Sequence, residues 1–251
     1  MMASSTLLRV SNLYKNFGGV QAIQDLNFEL AEGELLGLIG PNGSGKTTSV
    51  NLITGFVKPT EGEIFYRGQD ITGRAPYKIV RLGIARTFQM VKPFYQLPAY
   101  KNMIIPLYSP RVKQMSGGKY GDRDAVALDL LEEVGFERDA HVAYKPASVL
   151  PQGYLKRLEL AKAIALNPDL IILDELFSGL SLAEVAGIAP IIEKLRQRGK
   201  AIIMIEHRLK ELFRIADRVI VLNYGEKIAD GKAAEVMESD AVKRAYLGSE
   251  E

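Results

Sequence analysis

The stretch Gly40-Pro41-Asn42-Gly43-Ser44-Gly45-Lys46-Thr47-Thr48 constrains this chain more than any other. It follows a continuous apolar run, Leu35 to Ile39, of the kind a buried parallel strand presents, and it precedes residues 48–54, whose pattern is helical. Glycines on a strand-to-helix turn let successive backbone N–H groups point inward, and the helix N-terminus adds partial positive charge. Such a place suits an anion. Lys46 would reach the β- and γ-phosphates of a nucleotide as a point charge, the Thr47 hydroxyl would ligate a bridging Mg2+, and Thr48 would support the same phosphates. A glycine-rich loop that merely turns the chain is the plainer alternative, and the flanking strand and helix argue against it.

The 251 residues, 47% of them apolar, suffice for one globular body with a subdomain. A net charge of +2 from 32 basic and 30 acidic residues gives no support to a nucleic-acid partner. The absence of cysteine excludes a disulfide framework, a thiolate metal site and a cysteine nucleophile. Residues Met1 to Ser11 lack a basic segment followed by an apolar one, and no apolar run approaches the ~20 residues of a membrane-spanning helix. Any connection with a membrane is expected to go through a partner.

Residues Leu7 to Leu13 and Asp25 to Leu30 alternate apolar and polar residues, as half-buried antiparallel strands do, with Asn16 to Gly19 as the turn between them. Phe17 in that turn is either a core anchor or a platform for a purine. Glu63 to Tyr66 reads as a short strand, Gly68 to Gly73 as a turn, Pro76 to Leu82 as a helix with proline near its start, and Ile84 to Phe88 as a strand ending at Gln89. From residue 90 to 148 the pattern holds no long strand. Ala127, Leu130, Leu131 and Val134 share one helical face there, and Val112 to Gly121 reads as a basic, glycine-rich surface loop. Residues 90–148 are therefore an inserted helical subdomain, and residues 1–89 with 149–251 make the α/β core of a single domain.

Helices are expected at 152–166 and 181–198, apolar strands at Leu170 to Leu173 and Ala201 to Ile205, a hairpin at 219–230, and two closing helices at 233–238 and 241–247 before a frayed acidic tail, Ser249-Glu250-Glu251. Asp174 and Glu175 emerge at the C-terminal end of one apolar strand and Glu206-His207 at that of another, the end at which open parallel sheets bind ligands. Asp174 would hold Mg2+ through a water, and Glu175 would face the γ-phosphate and orient and deprotonate the attacking water. His207 would donate a hydrogen bond to that phosphate or water. Gln89 belongs to the same sheet edge, although a glutamine there is commonly a solvated loop residue. His141 sits in a polar loop and carries no expected role.

With these motifs in this order, the chain resembles the ATP-binding cassette family, specifically the ATPase subunits of importers. The phosphate loop at 40–48, Gly83-Ile84-Ala85-Arg86-Thr87-Phe88-Gln89, Leu170 to Glu175 and His207 carry the likeness. Asn16-Phe17-Gly18-Gly19, Leu52-Ile53-Thr54-Gly55-Phe56 and Ala245-Tyr246-Leu247-Gly248 look like the subgroup that serves branched-chain amino acid importers. The resemblance implies an α/β fold: a P-loop NTPase core with a mostly parallel sheet, an N-terminal antiparallel β subdomain and an inserted helical subdomain. It implies ATP and Mg2+ as cofactors, with Phe17, Asn42, Gly43, Ser44, Gly45, Lys46, Thr47 and Thr48 on the nucleotide. Thr47, Gln89 and Asp174 would serve the metal, and Glu175, His207 and Gln89 the catalysis. It also implies a second ATPase subunit, identical or a paralogue, and transmembrane permease subunits contacted by the segment of Phe94, Tyr95 and Tyr100, which could equally be the insert's small core. An extracytoplasmic solute-binding protein would act indirectly, no nucleic acid would bind, and the protein would lie in the cytoplasm, peripheral on the inner face of the membrane.

Where the family signature reads LSGGQ, this chain has Leu150-Pro151-Gln152-Gly153-Tyr154. Pro151 lacks both hydroxyl and N–H, so the contact made in trans to the partner's nucleotide would rest on Gln152, Gly153 and the helix N-terminus. Leu176 replaces the usual proline after the catalytic glutamate, and Ser181 stands where aspartate is common. The composite site using this signature is expected to hydrolyse more slowly than the one using this chain's Lys46 and Glu175. Competing readings are a soluble cassette ATPase serving as an assembly factor, as in iron–sulfur cluster assembly, and a nucleotide-gated clamp with little hydrolysis.

Overall fold

In the computed structural model, residues 5–116 and 121–247 are described. The chain opens with β1 (Thr6–Phe17) and β2 (Val20–Ala31), an antiparallel hairpin in which Phe17 faces Val20. Next come β3 (Leu35–Ile39), α1 (Lys46–Ile53), β4 (Glu61–Tyr66), β5 (Gln69–Asp70), α2 (Pro76–Leu82) and β6 (Ile84–Arg86). A helical stretch holds α3 (Ile104–Leu107), α4 (Pro110–Met115) and α5 (Arg123–Glu133). Then follow α6 (Gln152–Ala165), β7 (Leu170–Asp174), α7 (Leu182–Gln197), β8 (Ala201–Ile205) and α8 (Leu209–Phe213). The described chain closes with β9 (Arg218–Asn223), β10 (Glu226–Gly231), α9 (Ala233–Glu238) and α10 (Asp240–Leu247).

Two sheets organise these elements. One is four-stranded and antiparallel in the order β2-β1-β4-β5, and the other is six-stranded in the order β10-β9-β3-β8-β7-β6. The latter is parallel except for β10, which turns back against β9. β3, β7 and β8 are buried along their whole length, which is why they read as unbroken apolar runs. Their side chains alternate between two cores. Leu35 and Ile39 face the helices α6 and α7, whereas Leu36 and Leu38 face the antiparallel sheet. Each fully buried aliphatic side chain contributes about 1.5–3 kcal/mol, so the site-bearing strands are firmly held.

Several local expectations are corrected. β1 runs on through Phe17, since Asn16 pairs with Gln21 and the turn shrinks to Gly18-Gly19. Gln69–Asp70 is a short strand, drawn in by pairing with Phe65 and Tyr66. The strand after α2 stops at Arg86, two residues short of Phe88. The start of the expected loop at 112 is helical. Ser109 caps α4 by accepting from the Val112 N–H, and Pro110 suits its first turn. Residues 117–120 of that loop lie outside the described residues, as do the tail and Gly248. Helix α8, with only Leu212 fully buried, has too little periodicity to be read from sequence.

Candidate functional site

The loop between β3 and α1 owes its shape to glycines in conformations other residues resist. Gly40 has φ 149, and a Cβ on it would stand 2.1 Å from the Leu222 carbonyl oxygen. Gly45 has φ 105, and a Cβ there would meet the Ala22 carbonyl at 2.8 Å. The loop is thus wedged between β9 and β2 and cannot relax outward. Lys46 is buried, with Nζ donating to the carbonyls of Gly40 (2.7 Å) and Pro41 (2.8 Å). Burial lowers its pKa, and the charges of Glu175 and Asp174 oppose that shift. The Ser44 hydroxyl is buried without a hydrogen-bond partner. A cavity of about 180 Å³ opens here, walled by residues 42–48 with Ala22, Glu175 and His207. An orphaned hydroxyl, an ammonium and a helix N-terminus around one small cavity fit a phosphate chain.

The carboxylates arrive from β7. Asp174 ends the strand, is 5% exposed, and pairs through Oδ2 with the Arg86 guanidinium at 2.7 Å. Arg86 also donates to Asn51 Oδ1 (2.7 Å), so α1, β6 and β7 are tied at one point. Glu175 follows with φ 51, a left-handed conformation that turns its side chain out of the sheet. Its carboxylate is held from two sides, accepting from Gln89 Nε2 at 2.7 Å and lying 3.2 Å from His207 Nε2. A second, larger cleft of about 730 Å³ has Thr47, Gln89 and Asp174 on its wall together with Phe88 and Met90. Hydroxyl, amide and carboxylate oxygens are hard donors that suit Mg2+. Among the described residues no group of three or more His, Asp or Glu is placed to hold a metal alone, so these donors fit an ion that shares its coordination with phosphates.

Residues 23–178 match the ABC transporter family. The chain belongs to that family. This ABC cassette is an ATP-binding protein and an ATPase, of a kind that dimerises and works with permease partners. Residues 226–251 match a second family, the branched-chain amino acid ATP-binding cassette transporter. Among relatives, the high-affinity branched-chain amino acid transport ATP-binding protein LivG of Escherichia coli is 35% identical, over 98% of this chain and 99% of its own. BraF of Pseudomonas aeruginosa, which carries the same description, is 34% identical over the same shares. A nucleotide-free ATP-binding cassette from an ABC transporter superposes with TM-score 0.86 at 29% identity, covering 97% of this chain and all (100%) of that one. A dimeric post-hydrolysis cassette bound to ADP and phosphate gives TM-score 0.79 at 28% identity, over 90% and 98%.

Within the cassette, the remaining expected residues are placed less uniformly. Phe17 is a surface residue, 48% exposed, not a core anchor. Lys15 Nζ lies 4.8 Å from its ring centroid, and the ring is outside the wall of the small cavity. At the start of α6, Pro151 caps without a side-chain bond, Gln152 is exposed, and Gly153 is buried where a Cβ would meet Glu184 Oε1 at 2.3 Å. Ser181 caps α7, exchanging hydrogen bonds with Glu184. Leu176 is a core residue, 1% exposed. Tyr100 packs against Tyr144 at 5.3 Å, whereas Phe94 and Tyr95 stay exposed. His141 is exposed and caps a short helix.

Three residues escaped sequence reasoning. Arg86 neutralises Asp174, Lys156 is an ammonium buried beneath the site, and Glu206 is a buried carboxyl that accepts the Phe177 N–H at 2.8 Å. Burial pushes Glu206 up to about 7. A polar residue directly after or within an apolar run was the available signal for Arg86 and Glu206, whereas Lys156, beside Arg157 on a helix, gave none.

Proposed function

We propose that this cassette powers the uptake of branched-chain or closely related amino acids, as the ATPase subunit of an importer lying against the inner face of the membrane. The match of residues 226–251, together with full-length relatives of that description, supports the substrate class. The permease would meet the insert, residues 90–148, through the exposed Phe94 and Tyr95, and a solute-binding protein would deliver the amino acid from outside. No helix of the described residues is long and apolar enough to cross a membrane, so attachment would be through that permease.

Hydrolysis follows from one observation, the Glu175 carboxylate clamped between Gln89 and His207 at the mouth of the phosphate loop. Lys46 leaves its carbonyl partners for the β- and γ-phosphates, the loop amides of Asn42 to Thr48 take the remaining oxygens, and Phe17 stacks on the adenine. Mg2+, held by Thr47, Gln89 and Asp174, would neutralise charge on the β- and γ-oxygens. Glu175 then accepts a proton from the attacking water, while His207 donates to the terminal phosphate. Gln152 and Gly153 serve the nucleotide of the second subunit.

Phosphate release from Glu175→Gln tests the reading. Turnover should fall by about 10²–10⁴-fold while ATP affinity stays within threefold. Equal turnover in parent and variant would sink it. Affinity purification from membranes should recover a permease, and recovery of soluble partners alone would favour the assembly-factor alternative.

A further inference from the structure

Beneath Gln89 and Glu175 lies a cation that the proposed chemistry does not use. Lys156, on the second turn of α6, is 2% exposed, and its Nζ donates to two backbone carbonyls, those of Gln89 (3.0 Å) and Glu175 (2.9 Å). Its stem could be replaced in a core by an apolar residue at no desolvation cost, whereas an ammonium must be hydrogen-bonded to be tolerated there. The buried Glu206 carboxyl is its foremost electrostatic neighbour, followed by Glu175, Asp174 and Glu159. Nothing in packing alone asks for a charge at this point.

The two carbonyls belong to the residues whose side chains meet at 2.7 Å in the site. Glu175 needs the help most. Its φ of 51 is costly for a residue with a side chain, and its peptide units are pinned at both ends, N–H to the Ile205 carbonyl at 2.9 Å and carbonyl to Lys156. Lys156 also stands four residues after Gln152, which places both on one face of α6. The exposed end of the helix is thus joined by one rigid turn to the backbone that aims the catalytic carboxylate.

We infer that Lys156 is a positioning residue for ATP hydrolysis: it sets the Gln89 and Glu175 backbones relative to α6, so that a shift at the Gln152 end of the helix is felt at the carboxylate. The inference rests on Glu175 being the hydrolytic base. Lys156 lines neither the small cavity nor the larger cleft, so its loss should spare binding and damage turnover, and misplacement of a reacting group by about 1 Å is enough to cost about 10²-fold.

The full-length chain with Lys156→Met, Lys156→Arg and Glu175→Gln decides the matter, using a fluorescent ATP analogue for affinity and phosphate release for turnover. Lys156→Met should keep affinity within threefold and lose about 10²-fold in turnover. Lys156→Arg, which retains the two donors, should recover to within tenfold of the parent, and Lys156→Met added to Glu175→Gln should cost less than threefold more. Undiminished turnover in Lys156→Met overturns the inference, as does a parallel loss of affinity and turnover that arginine fails to rescue. If Lys156→Met does not fold, Lys156→Arg alone decides, a loss beyond tenfold counting against. Were Glu175→Gln to hydrolyse like the parent, the base assignment would fail and this inference with it. If only the Lys156 variants behave like the parent, the base assignment stands.

Discussion

The N-terminus of α1 and that of α6 are both without a side-chain cap, yet they are opposite kinds of site. Around α1 the glycine loop, Lys46, Glu175 and His207 enclose a cavity of about 180 Å³ from a single chain. Those groups fit a phosphate chain without help from a second molecule. The end of α6 has an exposed Gln152, a proline that offers no N–H, and a Gly153 turned inward against Glu184. In the proposed function it is half of a site, completed by the second subunit. In that reading, preorganisation by local chain geometry and completion by assembly are separated onto two helices.

Four tests would break or sharpen that contrast. The largest effect belongs to the α1 end: Lys46→Ala should weaken ATP binding by the single chain about 10²-fold or more, whereas Gln152→Ala should leave it unchanged, as equilibrium titration would reveal. Equal weakening by both would erase the distinction. Next, Gly40→Ala drives a Cβ into backbone at 2.1 Å and should cost about 2–4 kcal/mol in denaturant melts. Gly153→Ala meets only the end of the Glu184 side chain at 2.3 Å, and should fall within about 1 kcal/mol of the parent because alanine favours the helix.

A pH effect probes the ground between the two ends. Burial raises Glu206 from its ordinary 4.5 to about 7, so the folded chain holds the extra proton across that window. The contribution of this one group to stability is therefore full below about 4.5 and is lost as pH rises through about 7. Urea melts across this range should show the decline, and Glu206→Gln should flatten it; an unchanged slope in the variant would assign the decline elsewhere. Smallest of all, Ser181→Ala removes the cap of α7 and should cost about 1 kcal/mol with turnover little changed. A large loss of turnover in the assembled dimer would instead give Ser181 a role across the subunit boundary.

The parts legible in sequence were those whose chemistry is local. Strand, glycine turn and helix are contiguous around Lys46, and β7 delivers Asp174 and Glu175 as its last residue and the next one. Partners across the chain were not legible. Arg86 and Asp174 are 88 residues apart, Lys156 and Gln89 67 apart, and no spacing rule brings either pair together. Serine at 181 likewise read as a departure from a family pattern, while the structure gives it a helix to cap. Leu176, another departure, became a core residue because the chain turns inward after Glu175.

By itself the sequence determined that a glycine-rich strand-to-helix turn precedes Lys46, that a mostly parallel α/β core carries it, and that two carboxylates stand at the same sheet edge. Period, turn chemistry and motif are properties of neighbouring residues, and neighbouring residues suffice to state them. Tertiary structure alone decided that Asp174 is paired with Arg86, that Glu175 is clamped between an amide and an imidazole, and that a buried ammonium supports both Gln89 and Glu175. Those facts depend on where β6, β7, β8 and α6 pack, and packing sums many weak contacts over the whole chain, which no local stretch encodes.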